Sequence, residues 1–426
     1  MKKYTNKITL HPRYLIYAQL ILCCFEYFNN LSLSTRFNDV ITILIFILCI
    51  IKGKKSKTYP NLFFIISFLY LLVTLIGYIF NSYSLVAYLW STREIITSLV
   101  FMWGCITFLK GKDIAKLIKI FSIIFLFNFF VILYQYFLLD LKGDSASGIF
   151  GSTIGNNRFL IIFLSLATIF TLAMYANNKI KFIYGILCIS ICLIISVISE
   201  LKIYFLLLIF IIALLSILMK PNRKTIIISI GSLVLIYFFI QLLYKLYPSF
   251  SDFFSIEKIL SYSGNSGYTG QGDVNRLSGL ITIADYINYK TSIFLFGIGI
   301  GNAEFIKIFK TEIVSEFYSR YNNFLHYTWF TQTLIFLETG IVGFSLYIAR
   351  YIALFIEYRS LYNSNKNLQV YCIIGKTTAV MAVFQIFYSN VMQSEIGIYL
   401  FYLIFSMPFA LQKDYLIEKR ISNNQK

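Results

Sequence analysis

The sequence predicts an all-α polytopic bundle of about twelve transmembrane helices, with one long external loop between spans 9 and 10. Three observations lead to this fold class. First, 58% of the 426 residues are hydrophobic and only 13% are charged, whereas a soluble domain carries about 25% charged residues. Second, apolar stretches of the length needed to cross a bilayer, about 20 residues, recur along the chain. Third, basic residues are concentrated in alternate connections, the positive-inside pattern. This composition excludes a soluble domain and a disordered chain.

The apolar stretches define the predicted spans. The second is short, and the seventh and eighth are separated only by the Ser199–Lys202 turn, so the count has a range of ten to thirteen. Each segment has the hydropathy expected of a helix that crosses the membrane. The twelve segments are 14–29, 37–51, 61–80, 84–109, 117–139, 159–176, 182–199, 203–219, 225–247, 327–349, 369–391 and 396–412.

Lysine and arginine distinguish the two sides of the predicted bundle. The connections on one side are basic, and those on the other side are nearly bare of basic residues. Because short cytoplasmic loops carry the excess of Lys and Arg, both termini are predicted to be cytoplasmic. The net charge of +18 is therefore a topology signal that requires no nucleic acid partner. Basic connections include Lys52, Lys54, Lys55 and Lys57 after the second span, and Lys110, Lys112 and Lys116 after the fourth.

The chain divides into three predicted regions: spans 1–9 (1–247), the large external loop (248–326), and spans 10–12 with a cytoplasmic tail (327–426). A structureless loop of this length would be unusual in a compact protein, so the loop is expected to be folded and functional. Its glycine-rich first part, 261–273, is predicted to be flexible. A helix is predicted to begin near Asn275, with Leu277, Leu280, Ile281, Ala284 and Ile287 on one apolar face.

The stretch Phe294–Asn302 follows, and it is too short to span a membrane. Its glycines Gly297, Gly299 and Gly301 lack the strand, helix and later acidic residue of a dinucleotide-binding fingerprint. We therefore predict that this stretch packs its backbone closely against the bundle.

Two arginines on the external side predict an anion site. Arg276 would lie in the first turn of the loop helix, where a cation opposes the helix dipole by about 0.3–1 kcal/mol. A local rule broken without visible compensation often marks a functional site. Arg158 begins the sixth span on the same side, and guanidinium groups suit anions. The alternatives are an Arg276 that is solvated or paired with Asp273, and an Arg158 that snorkels at a helix end.

Further chemistry is predicted at three positions. His326 lies where the loop returns to the membrane and could take a proton from a hydroxyl group, unless it is an interfacial histidine in an aromatic belt. Arg93 and Glu94 lie about 15 Å into the fourth span if it starts at Ser84, and intramembrane charges suggest function. Alternatively, 84–92 is an interfacial or re-entrant piece and both charges are at the surface. The sequence contains no pattern of metal ligands, so no metal and no cofactor are predicted.

Three stretches, taken in order along the chain, suggest a family. They are Gly148-Ile-Phe-Gly followed by Asn156-Asn157, then Asn275-Arg276 followed by Phe296–Asn302, and finally Leu337-Glu338-Thr-Gly340-Ile-Val-Gly343. With these stretches, its length, its span number and its late external loop, the chain resembles bacterial O-antigen and capsular polysaccharide polymerases and the related O-antigen ligases. In similar proteins a histidine often precedes the Glu-x-Gly stretch by about two and a half helical turns. That position is Trp329 here, and His326 lies one turn earlier.

The resemblance implies a glycosyltransferase in the bacterial cytoplasmic membrane that joins repeat units linked to undecaprenyl pyrophosphate. An acceptor hydroxyl would attack the anomeric carbon as the lipid pyrophosphate departs, inverting the anomeric centre without a metal. Arg276 and Arg158, with Arg320 in reserve, would bind the pyrophosphate. The base would be His326 or a carboxylate, Glu338 or Glu304. The implied partners are the lipid-linked glycan, the bilayer, a flippase and a chain-length regulator.

The sequence leaves two alternatives open. A ligase that transfers the glycan to a lipid A core or to a wall polymer has the same layout. A flippase for lipid-linked oligosaccharides also has about twelve spans, but it would be expected to show internal repeats and a charged central cavity.

Overall fold

The computed structural model describes residues 11–25, 33–52, 58–81, 84–219, 223–248, 272–287, 290–308 and 311–424. Within these ranges, each of the twelve predicted segments overlaps a helix of 13 or more residues. The helices are α1 (Arg13–Phe25), α2 (Leu33–Lys52), α3 (Asn61–Phe80), α4 (Leu85–Phe108), α5 (Gly111–Phe137), α6 (Asn157–Ala176), α7 (Phe182–Ile198), α8 (Lys202–Leu218), α9 (Arg223–Leu246) and, after the loop, α13 (Thr331–Ser364), α14 (Gln369–Tyr388) and α15 (Glu395–Asn424).

Eight of these helices are long and apolar enough to cross a membrane, namely α3, α4, α5, α6, α9, α13, α14 and α15. Three more, α1, α7 and α8, are apolar but shorter. The fold is therefore an all-α membrane bundle, as predicted, and the count of about twelve spans stays a prediction.

The described part of the predicted loop contains three short helices and a hairpin. These are α10 (Gly279–Tyr286), α11 (Thr291–Phe296), β1 (Phe305–Ile308), β2 (Thr311–Val314) and α12 (Glu316–Leu325). The two strands are antiparallel, with Phe305 opposite Val314. The flexibility predicted for 261–273 falls on residues that, up to 271, lie outside the described ranges.

The predicted start of the loop helix is wrong. The helix α10 begins at Gly279, not near Asn275, and Arg276 precedes it in a turn. Tertiary contacts explain the difference, because the Val274 N–H donates to the Leu325 carbonyl at 2.9 Å and holds this part of the chain out of a helix. The predicted apolar face is also only partly correct, since Leu277 and Ile281 are exposed.

Helix α13 organises the centre of the bundle. It packs along α14 and α3, and α15 packs along α4. Gly340 interrupts α13 with φ 65° and ψ −173°, a conformation that is essentially restricted to glycine. The carbonyls of Leu337 and Glu338 accept bonds of 2.9 and 3.0 Å from the N–H groups of Ile298 and Gly299. The break in α13 is thus the place where the glycine-rich stretch docks on the bundle, which confirms the predicted close packing.

Gly297 completes this contact from the other side. Its φ is 74°, and a Cβ atom at this position would overlap the backbone of Glu338. A Cβ on Gly340 would likewise overlap the backbone of Leu295. We call this contact the glycine interlock. It joins two of the stretches that suggested the family resemblance, although they lie far apart in sequence.

Candidate functional site

The candidate site lies at the end of the bundle that carries α10–α12, where α6 begins and α14 ends. Two arginines from different parts of the chain contact the three residues 388–390 that follow α14. We call Arg158, Arg276, Tyr388 and Asn390 the arginine site. The sequence predicts both Arg158 and Arg276 on the external side, and the structure brings both to one short segment.

Arg158, in the first turn of α6, reaches across to Asn390. Its Nη1 donates a hydrogen bond to Asn390 Oδ1, and its guanidinium lies 4.8 Å from the Phe159 ring centroid. The Asn390 amide donates in turn to the Thr328 carbonyl at 2.9 Å. Asn390 therefore joins Arg158 to the segment that contains His326.

Arg276 lies at the carboxyl end of α14. Its Nε donates to the Tyr388 carbonyl at 3.2 Å, and its guanidinium carbon is 4.6 Å from the Tyr388 ring and 5.3 Å from the Phe330 ring. The Gln332 amide donates to the Arg276 carbonyl and fixes the backbone there. A cation near a helix carboxyl terminus is favoured by the dipole. The expectation that Arg276 opposes the dipole of its own helix is therefore wrong.

His326 borders the arginine site. It ends α12 in the left-handed conformation, with φ 51°, and its ring stacks on Trp329 at 4.2 Å and 6°. The neighbouring Thr328 is fixed by Asn390 and by its own hydroxyl, which bonds Asn322 at 2.9 Å. The histidine is only partly buried, and Trp329 covers one face of its ring.

Arg320 is placed differently from the other two arginines. It is exposed on α12 and pairs with Glu316, one turn earlier, at 2.5 Å. Exposed pairs of this spacing contribute little to stability. The structure gives Arg320 no contact with the arginine site in the part of the chain that it describes.

Glu338 and Glu304 lie at a second polar centre, deeper in the bundle. A cavity of about 40 Å³ is lined by Glu94, Glu304, Glu338 and Arg350 together with serines, tyrosines and Gln393; we call it the polar cleft. Glu338 is 2% exposed and accepts a bond of 2.8 Å from the Gly301 N–H. Glu304 accepts a bond of 3.1 Å from the Ser91 hydroxyl. The 3-10 turn 391–393 joins the polar cleft to the arginine site, since Met392 and Gln393 line the cleft.

Arg93 and Glu94 lie inside a continuous helix. Ser84 caps α4 by accepting from the Ala87 N–H at 3.3 Å, so 84–92 belongs to the same helix as both charges. The depth of Arg93 and Glu94 in the membrane stays a prediction. Arg93 forms an ion pair with Asp39 of α2 and covers the Trp90 ring at 4.1 Å. Glu94 lines the polar cleft, 3.7 Å from Arg93.

Arg350 was missed by the sequence analysis. The predicted span ended at residue 349, but α13 continues to Ser364 and buries Arg350 to 2% exposure. Three tyrosine rings surround its guanidinium, those of Tyr347, Tyr70 and Tyr351, at 4.2, 4.9 and 5.7 Å. The signal that could have found it is the apolar sequence that continues on both sides of this single arginine.

A smaller acidic cluster lies beside the start of α6. Asn157 donates to the Asp144 carboxylate, and Glu200, in the left-handed turn between α7 and α8, packs under Gly143. Burial raises the pKa of both Asp144 and Glu200, while the nearby Lys202 ammonium opposes the shift.

Within the described ranges, no group of three or more His, Cys, Asp or Glu side chains is arranged to hold a metal ion. Comparison with known proteins adds no assignment. No family model matches the sequence, and no curated protein matches it.

Proposed function

We propose that the chain is a polysaccharide polymerase that joins repeat units linked to undecaprenyl pyrophosphate at the outer face of the bacterial cytoplasmic membrane. The observation that supports this most directly is the arginine site. Two guanidinium groups from distant parts of the sequence meet one short segment at the end of the bundle predicted to be external. About twelve spans with cytoplasmic basic connections are part of the same proposal.

The leaving group defines what the site must do. When the bond between the anomeric carbon and the pyrophosphate oxygen breaks, negative charge develops on the pyrophosphate. Fixed cations at that point stabilise the transition state more than the ground state. Guanidinium groups bind phosphate oxygens in a bidentate manner. Arg158 and Arg276 are therefore proposed to hold the departing pyrophosphate, and Arg320 is not.

The acceptor hydroxyl needs a base. Of the three candidates, only His326 lies in the segment that Asn390 and Thr328 join to the arginine site. Glu338 is almost completely buried in the polar cleft, and Glu304 lines the same cleft. In the proposed reaction the acceptor oxygen bonds to the anomeric carbon, its proton passes to His326, and the pyrophosphate leaves with the bonding electrons. Such direct displacement inverts the anomeric centre.

The test compares two arginines of the same predicted loop. Arg276→Ala removes a guanidinium from the arginine site, and Arg320→Ala removes one from the exposed pair with Glu316. In cells without their own copy of the gene, we expect long surface polysaccharide with Arg320→Ala and only short chains with Arg276→Ala. The loss of one transition-state contact predicts a fall in rate of about 10²–10³-fold. Amounts of inserted protein are compared on a blot.

The outcomes separate the proposal from its alternatives. Long chains of normal abundance from Arg276→Ala would remove the arginine site from the reaction. Polymer that accumulates on the lipid carrier in cells without the protein would indicate a ligase instead. Labelling of a Ser319→Cys thiol only from the cytosolic side would also refute the proposal, because the site would then face the wrong compartment.

A further inference from the structure

The polar cleft has no role in the proposed glycosyl transfer, and its chemistry suggests another one. On α13 its lining extends from Ile335 to Arg350, which corresponds to about 20 Å along a helix. Its volume of about 40 Å³ has room for two or three water molecules. The cleft therefore places its carboxyl groups and Arg350 among isoleucines and Met392, and it is large enough for bound water.

The charges around the cleft do not balance. Glu94, Glu304 and Glu338 face one arginine, Arg350. Among the described residues, Arg93 pairs with both Asp39 and Glu94, and Glu395 accepts from the neutral Asn38 amide at 2.6 Å. With these neighbours included, the described groups around the cleft are five carboxyl groups and two arginines. Glu338 is 2% exposed and forms no ion pair among the described residues. A buried carboxylate without a cation is very costly, so some positive charge must be taken up. The charged and titratable groups around the cleft come from five helices and one connecting segment. They are Asp39 of α2; Tyr70 of α3; Arg93 and Glu94 of α4; Glu304 between α11 and β1; Glu338, Tyr347, Arg350 and Tyr351 of α13; and Glu395 and Tyr402 of α15.

Two buried polar atoms indicate what occupies the cleft. The Arg350 Nε–H, a donor, and Gln393 Oε1, an acceptor, have no hydrogen-bond partner among the described residues. Arg350 also forms no ion pair in the described part of the chain; its three tyrosine neighbours supply ring faces. An unpaired donor and an unpaired acceptor on one small polar cavity are ordinarily satisfied by bound water.

We propose that the polar cleft is a proton-binding site in which at least one proton is shared among Glu94, Glu304 and Glu338 through bound water. A metal ion fits less well, because no three acidic groups within the described residues converge on one point and the fixed Arg350 cation repels other cations. The same repulsion prevents protons from passing beyond Arg350. The site therefore exchanges protons with solvent through its partly exposed carboxyl groups, Glu94 and Glu304.

Glu304 has the properties expected of an entry group. It lies outside the long helices, in the segment between α11 and β1, and is only partly buried. Burial raises its pKa, while the hydrogen bond from Ser91 opposes the shift. A partly buried carboxyl group with a raised pKa can exchange protons both with solvent and with the buried Glu338. This inference does not depend on the reaction proposed above.

Infrared spectroscopy tests the proposal directly. The full-length protein is purified in a maltoside detergent, because this detergent has no ester carbonyl that would overlap the signal. The carbonyl stretch of protonated carboxyl groups is recorded near neutral pH and is identified by its shift in heavy water. We expect a band equivalent to at least one carboxyl per chain. At least one of the variants Glu94→Gln, Glu304→Gln and Glu338→Gln should lose it. The exposed Glu316→Gln is the matched control and should keep it.

Two further variants give a test that does not depend on losing the infrared band. Arg350→Gln removes the compensating cation, so the band should grow and persist to higher pH, whereas Arg350→Lys should leave it near its original size. Variants that elute as folded monomers on size exclusion are compared. Absence of the band, or a band unaffected by all three glutamate substitutions, would overturn the proposal. A band that appears only when Na⁺ is replaced by choline would also overturn it, because a sodium ion would then be the occupant.

Discussion

The glycine interlock predicts that a single methyl group at residue 340 is strongly destabilising. Gly340→Ala would place a β-carbon against the Leu295 backbone, in a backbone conformation that alanine rarely adopts. The conformational strain costs about 1–3 kcal/mol. The hydrogen bonds from Ile298 and Gly299 to α13 contribute about 0.5–1.5 kcal/mol each. Their combined loss corresponds to about 2–6 kcal/mol.

The assay is the fraction of folded monomer that remains after heating in detergent, measured by size exclusion. From about 2–4 °C per kcal/mol for a large domain, the midpoint should fall by about 4–24 °C. Gly155→Ala is the matched control, because Gly155 also has a positive φ, of 93°, but a Cβ there has nothing within 4 Å. Gly297→Ala should behave like Gly340→Ala, and the double variant should lose less than the sum, since both break one contact. A Gly340→Ala midpoint no lower than that of Gly155→Ala would refute the reasoning.

Two other predictions concern the loop end of the bundle. Asn390→Ala removes the residue that positions Arg158 and joins it to Thr328. Because a hydrogen bond to a charged group contributes about 1.5–3 kcal/mol, the kcat of the purified protein on lipid-linked repeat units should fall about 10–100-fold, with little change in KM. An equal rise in KM would contradict a positioning role. Burial raises the pKa of Asp144 and Glu200 above their ordinary values of 3.8 and 4.5, so the folded protein holds protons that the unfolded chain has released. The two protonated groups contribute fully to stability at pH values below the pKa values of the unfolded chain. This contribution is lost as the pH rises through the higher pKa values of the folded protein. The thermal midpoint should therefore decline over this window, and the Asp144→Asn, Glu200→Gln variant should lose that decline; a parallel profile would show that these groups do not titrate as inferred.

Hydropathy was sufficient to locate the long helices, because a single apolar segment in a bilayer can satisfy its backbone hydrogen bonds internally only as a helix. It could not find contacts between distant segments. The position of Arg276 shows this, since the local pattern placed it in the first turn of a helix, whereas the Leu325 carbonyl and Gln332 hold residues 274–276 against the end of α14.

The candidate site was predictable to the extent that single residues stand out. Arg158, Arg276 and His326 were identified by their type and predicted side, and the structure brings them to neighbouring positions. The polar cleft was not predicted as a unit, because Glu94, Glu304, Glu338 and Arg350 come from three separate regions of the chain. Sequence spacing contains no information on which of them meet.

The burial of Arg350 has a consequence for how the protein is made. Helix α13 carries this arginine opposite the middle of α3, and insertion of an arginine at the centre of an isolated helix is unfavourable by about 2.5–3.5 kcal/mol. Tyr70 of α3, which contacts the guanidinium, is synthesised long before α13. During biosynthesis α13 therefore inserts by packing against helices that are already in the membrane. A nascent chain that lacks α3 should fail to integrate α13.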